Sequence, residues 1–235
     1  MSKVSIIIPT RNRWDLLIER AIDSVLRQSH KKWQLIIVDD GSDEDRSDEV
    51  KKIDKRIKVY RIEKKYDYPK GNLKAEWLAG PVHALNEALE HVDGDWIARL
   101  DDDDIWYPDC LENLLEFAEA GEFDFVSALW QDVNGIVGMP YDISKLYTGR
   151  VAQRGGYLGG VQTWLYKAEY KHIKYNPMCW RKSWNANNEL DWFERFLREN
   201  PRIGFLPKVL CAVIPRPGET EIGSKAYVKE TEYVG

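Results

Sequence analysis

The stretch Asp95–Asp109 reads DWIARLDDDDIWYPD. Trp96 to Leu100 is a short, mostly apolar run with the form of a buried strand, and it empties into four consecutive carboxylates, Asp101 to Asp104. Neighbouring negative charges repel by about 1 kcal/mol even in water, so the cluster needs a counter-charge. Along an extended chain the side chains alternate faces, which predicts Asp101 and Asp103 on one side and Asp102 and Asp104 on the other. Mg²⁺ and Mn²⁺ take carboxylate oxygens and keep positions open for phosphate oxygens, so one of these pairs is expected to share a metal ion. The competing reading is an acidic loop that caps the next helix, which Pro108 opens.

Outward toward the amino end, Val4 to Ile8 is a continuous apolar run stopped by Pro9, as expected of a strand buried on both faces of a parallel sheet. The segment Asp15 to Arg27 places Leu16, Leu17, Ile18, Ala21, Ile22, Val25 and Leu26 on one helical stripe. A second buried run, Gln34 to Val38, ends in Asp39, Asp40, Gly41 and Ser42. Strand, helix and strand in this order form a right-handed βαβ unit, whose loops at the carboxyl ends of the strands share one edge. The first loop, TRNRW, has no GxGxxG, so a dinucleotide-binding site is poorly supported. Asp39 and Asp40 offer acceptors suited to a base N–H or to ribose hydroxyls, or else form only a turn. Ile57 to Ile62 alternates as a half-buried strand, Glu63 to Gly80 is a polar, aromatic-studded insertion, and Pro81 to His91 begins a helix.

Composition bounds the function class. With 43% hydrophobic and 31% charged residues over 235 positions, one globular domain is expected. The net charge of −5 argues against a nucleic-acid partner. No apolar run approaches the roughly 20 residues of a membrane span, and the start, MSKVSIIIPT, enters a strand pattern directly. Cys110, Cys179 and Cys211 are too few and too scattered for a disulfide framework or a structural zinc site, and fit a cytoplasmic setting.

Beyond Pro108 a helix runs from Asp109 to Ala120, and Asp124 to Leu129 reads as a strand. Gln131 to Gly160 is rich in turn residues, Val161 to Tyr166 is predicted as a strand and Lys167 to His172 as a short helix. The strongest late helix is Asn188 to Glu199, with Leu190, Phe193, Phe196 and Leu197 as its packed stripe. Glu189 and Asp191 fall in its first turn, where the helix dipole favours negative charge. Asp191, beside Trp192, is either that dipole partner or a general base. Ile203 to Leu206 and Val209 to Ile214 are late strands, and residues 215–235 are expected to form a mobile tail.

Taken in order, VSIIIPTRNR, QLIIVDDGSDE, ALNEAL with GDWIARLDDDDIWYPD, and NELDWFERF resemble glycosyltransferase family 2, over roughly Lys3 to Leu197. The resemblance implies the GT-A fold: a single α/β domain whose mostly parallel sheet is flanked by helices, with a smaller mixed sheet on the acceptor side. It implies a nucleotide-binding half at 1–104 and an acceptor-binding half at 105–214. The implied reaction moves a sugar from a nucleotide-sugar donor, a UDP-sugar being favoured, to an acceptor hydroxyl with inversion and with help from Mn²⁺ or Mg²⁺. A carbohydrate or glycolipid acceptor would allow peripheral contact with a membrane.

Carried over residue by residue, Pro9, Thr10 and Arg11 lie beside the nucleotide. Asp39, with Asp40, reads the base. Asp101 faces ribose and metal, with Asp102 beside it, and Asp103 is the principal metal ligand. Asp191 is the base, with Glu189 as its substitute one register away. The family's arginine after the third strand is here Leu85-Asn86, so that contact is expected from Arg99 or Lys74. Arg216-Pro217-Gly218 stands where Arg-x-His is common, and no QxxRW follows Asp191, which disfavours a processive enzyme. A sugar-nucleotide pyrophosphorylase and a non-catalytic carbohydrate-binding protein are the alternatives.

Overall fold

The computed structural model describes residues 2–62, 69, 71–146 and 156–222. Its strands in chain order are β1 (Val4–Thr10), β2 (Trp33–Asp39), β3 (Ile57–Arg61), β4 (Trp96–Arg99), β5 (Asp104–Trp106), β6 (Phe125–Gln131), β7 (Tyr141–Asp142), β8 (Tyr157–Leu158), β9 (Leu165–Lys167) and β10 (Ile203–Val213). Eight of them form one sheet in the order β3-β2-β1-β4-β9-β6-β10-β5, and β7 pairs with β8 apart from it.

The amino-terminal half is parallel throughout. β1 runs beside β2 from Val4 opposite Trp33 to Thr10 opposite Asp39, and beside β4 from Val4 opposite Trp96 to Ile7 opposite Arg99. Helices cover both faces, so alternate residues of one strand enter different cores. Ile6 and Ile8 of β1 and Leu35 and Ile37 of β2 pack in one core with Leu17, Val25 and Leu114. Ile7, Ile36 and Val38 pack in the other with Leu85, Trp192 and Phe196. This is why the strands read as unbroken apolar runs rather than as alternation. The parallel arrangement brings Thr10, Asp39, Arg61 and Arg99 to one edge.

Several elements differ from the sequence reading. The acidic run is a turn, closed by the Asp104 amide donating to the Asp101 carbonyl at 3.3 Å, and not an extended segment. Alternation of faces therefore does not apply to it. Asp104 then opens β5, a strand too short to show in periodicity. The two late strands are one, β10, with register shifts around Val209, where Pro207 cannot donate to the ladder. The antiparallel β9 and β5 join the main sheet, so that sheet is itself mixed, while the small sheet is purely antiparallel. Val161–Thr163 is a 3-10 turn that precedes β9. Within the expected insertion, Leu73–Ala79 is a helix capped by the Asn72 side chain, which accepts from the Ala75 amide at 2.9 Å. Residues 63–68 and 70 of that insertion, and 223–235 of the expected tail, lie outside the described residues.

Candidate active site

The carboxyl edge of the sheet opens into a cleft of about 1450 Å³. Its first wall is built by the loops after β1 and β2. Pro9, Thr10, Arg11, Asp40, Ser42 and Arg61 line it. Asp39 does not: it is fully buried, and its carboxylate accepts from Arg61 Nη1 at 2.6 Å, from the Ser42 amide at 3.0 Å and from the Ser42 hydroxyl. Arg61 Nη2 also donates to the Ser42 carbonyl. Asp39 thus folds the turn through Gly41, whose φ of +68° suits glycine, and presents Asp40 and Ser42 to the cleft in its place. Asp39, expected at a base, thus lies behind the residues that line the cleft.

The floor is the acidic turn. All four aspartates border the cleft, but their partners separate them. Asp102 is buried and accepts from Thr10 Oγ1 at 2.8 Å and from Arg13 Nη1 at 3.0 Å. Its carboxylate ties the turn to β1, a structural duty where a nucleotide contact was expected. Burial, against the pull of Arg13, raises its pKa to about 7. Asp104 is also buried, and its pKa is raised by that burial and by the three neighbouring acids. Asp101 and Asp103 keep side-chain exposures of 32% and 23%. Burial and then the Asp101 charge raise Asp103, while Arg13 and Arg216 pull it down.

An excess of negative charge, spread over two partly exposed carboxylates, fits a hard divalent cation that completes its shell with ligand oxygens. No group of three or more His, Cys, Asp or Glu side chains with metal-binding geometry occurs among the described residues.

Joined to the acidic turn through Arg99 is the start of the helix Asn188–Leu197, capped by Asn187, whose side chain accepts from the Leu190 amide at 2.9 Å. Asn188 and Glu189 line the cleft and Asp191 does not. Positions two apart on a helix point about 200° away from one another, so only one of the two acids can face the cleft. Asp191 is 1% exposed and paired with Lys182 and Arg195, each at 2.8 Å. Of the two acids expected as the base, Glu189 therefore lies at the cleft, while Asp191 is held in ion pairs away from it. The i, i+4 partner Arg195 was the sequence signal for that pairing. Burial, and then the charge of Asp101, raise the Glu189 pKa, with Arg99 pulling it down.

Arginines complete the site. Arg13 reaches Asp103 at 3.5 Å as well as Asp102. Arg20 donates to the carbonyls of Asp103, Ile214 and Pro215, each at 3.0 Å, and so ties the acidic turn to the segment that carries Arg216. No local pattern marks Arg20, since its partners lie 83 to 195 positions away. Arg99 sits behind Asp101 and Glu189, and Lys74 does not line the cleft. Asn86 bonds the Tyr175 backbone in both directions, at 2.9 and 2.6 Å, which is a packing role.

Residues 5–138 match the profile of glycosyl transferase family 2, more than half of the chain. A Rickettsia felis protein named "Uncharacterized glycosyltransferase" is 39% identical over 135 residues, 57% of this chain and 20% of that one. Escherichia coli WfgD, a UDP-Glc:alpha-D-GlcNAc-diphosphoundecaprenol beta-1,3-glucosyltransferase, is 33% identical over 138 residues, 57% of this chain and 49% of that one. The match thus spans from a fifth to a half of these relatives' length. Among solved structures, Staphylococcus aureus TarS 1-349 in complex with UDP-GlcNAc superposes with a TM-score of 0.67 and 21% identity, covering 96% of this chain and 62% of that one. The fold is that of these GT-A proteins, and the chain belongs to glycosyl transferase family 2.

Proposed function

We propose that the chain transfers a sugar from a nucleoside-diphosphate donor to an acceptor hydroxyl with inversion at the anomeric carbon, and that Glu189 is the general base. The observation that carries this reading is that one cleft is lined by the loops at the strand ends, by the partly exposed Asp101 and Asp103, and by Glu189. Residues 1–104 would bind the nucleotide through Thr10, Arg11, Asp40 and Ser42, and 105–214 the acceptor.

Glu189 takes the proton of the acceptor hydroxyl as its oxygen bonds to the anomeric carbon. The bond from that carbon to the diphosphate oxygen breaks on the opposite face, and its electron pair leaves with the diphosphate. Arg13 and Arg216, whose charges reach the acidic turn, set a positive environment for the departing anion. Held by Asp101 and Asp103, Mn²⁺ or Mg²⁺ would supply Lewis-acid stabilisation of that charge. Proton removal by a positioned base contributes typically about 10²- to 10⁴-fold.

The names of the relatives favour a UDP-sugar and an acceptor on a lipid diphosphate, since WfgD carries both in its name and TarS was crystallised with UDP-GlcNAc. Such an acceptor would bring the protein to a membrane surface from the cytoplasm. No helix among the described residues is long and apolar enough to cross one. Incubation with a panel of nucleotide sugars, Mn²⁺ and a polyprenyl-diphosphate sugar is expected to release free UDP and extend the acceptor. Formation of UTP and sugar 1-phosphate once pyrophosphate is added, with no free UDP, would point to a pyrophosphorylase, and sugar binding without turnover to a carbohydrate-binding protein; either result overturns the proposal.

A further inference from the structure

Arg99 is the largest charged side chain in the interior, 1% exposed, at the end of β4, where its backbone is paired with Ile7 of β1. Its Nη2 donates to two different carboxylates, Asp101 Oδ1 at 3.2 Å and Glu189 Oε1 at 3.4 Å. Nε adds a bond to the same Asp101 oxygen at 3.3 Å, and Nη1 reaches Asn188 Oδ1 at 3.3 Å. The guanidinium lies over the Tyr175 ring, 5.8 Å from its centroid. One buried cation therefore serves two acids that stand 88 positions apart in the chain and both line the cleft.

Exposure orders the layers. The side chains of Asp101 and Glu189 are 32% and 20% exposed against 2% for Arg99, so a ligand in the cleft meets the carboxylates and the arginine holds them from behind. Arg99 itself borders the cleft, with far less exposed surface than the two carboxylates. We infer that Arg99 is a positioning residue that orients the base carboxylate of Glu189 and shares its charge between Glu189 and the donor-side carboxylate Asp101. This rests on the roles proposed above for those two acids. All four bonds are longer than the 2.7–2.9 Å of a strong charged pair, so each carboxylate holds the guanidinium only in part. A ligand that draws on Asp101 leaves more of Arg99 to Glu189, and linkage makes the effect reciprocal. Burial opposes the Arg99 charge, and Asp101, Tyr175 and Glu189 more than offset it, which keeps the bridge charged.

Lysine at position 99 keeps the charge but is a point donor without the planar fork that spans both acids. Two measurements test the bridge. In the first, thermal unfolding at neutral pH is compared for D101N, E189Q and the double variant, each with Arg99 and with R99M. With Arg99 in place each single variant costs little, because the guanidinium falls back on the remaining acid. The double variant strands it, and Tm drops by more than the sum. With R99M only repulsion remains, so each neutralisation raises Tm and the excess loss disappears. Additive shifts with Arg99, or the same pattern in both backgrounds, overturn the inference. In the second, R99K is expected to lower kcat by about 100-fold, the cost of a base displaced by about 1 Å, and to raise donor KM, because Asp101 loses its share of the fork as well. Wild-type kcat in R99K refutes the positioning role. Absence of UDP release by the wild type sinks the proposed function instead, and the unfolding measurements still decide whether Arg99 bridges the two acids.

Discussion

Glu189 and Asp191 differ by two positions, and the structure assigns them opposite consequences on mutation. In Glu189→Gln the side chain keeps its size and loses its ability to accept a proton. Because burial already holds the Glu189 pKa above the ordinary glutamate range, its charge costs the fold, and its removal is expected to leave Tm within roughly 2 °C of wild type. Turnover should fall by about 10²- to 10⁴-fold, with affinity for UDP and Mn²⁺ changed by less than about tenfold. Asp191→Asn breaks two ion pairs of an acid that is 1% exposed. Losing one member of a buried pair costs about 3–5 kcal/mol. Lys182 and Arg195 retain exposures of 21% and 28% and can take up water, which favours the lower end, about 3 kcal/mol. For a chain of this size that is a Tm decrease of roughly 6–12 °C, with kcat per folded molecule nearly unchanged. Calorimetric unfolding beside a coupled assay for UDP release reads both quantities. Full turnover in Glu189→Gln, with lost turnover and unaltered Tm in Asp191→Asn, would refute the assignment.

The acidic turn makes stability depend on pH. Asp102, Asp103 and Asp104 are all raised, so the folded state binds protons more tightly; their contribution is complete below the ordinary aspartate pKa of about 3.9 and is lost as pH rises, that of Asp102 through about 7. Tm is expected to fall between pH 5 and pH 8, less steeply in Asp104→Asn, and Mn²⁺ should raise it more at pH 8 than at pH 5; an equal slope in the variant contradicts this. Arg20→Ala removes three bonds to backbone carbonyls and is expected to cost about 2 kcal/mol, roughly 4–8 °C, and to raise donor KM, because the acidic turn and the Arg216 segment lose their common anchor. Asp39→Asn loosens the hold of Arg61 on the loop that carries Asp40 and Ser42, so nucleotide affinity should fall while kcat at saturating donor holds; the reverse split would make Asp39 a participant in transfer.

The amino acid sequence alone determined the class of fold and the edge at which a ligand binds. Runs such as VSIII and QLIIV are apolar without alternation because both faces of their strands are covered, and parallel pairing then brings their loops to one side. The acidic cluster, too, declares itself locally as charge that cannot stand without a partner. Which acid has which duty was decided only by tertiary structure. Asp39 and Asp102 look like ligand contacts in the sequence and are held by Arg61 and by Thr10 with Arg13; Asp191 is drawn off by Lys182 and Arg195, and Glu189 faces the cleft. Local pattern reports the period of a strand or helix, whereas the state of a carboxylate depends on which cation the folded chain returns to within about 3.5 Å, and Arg13 and Arg99 do so from 89 and 90 positions away.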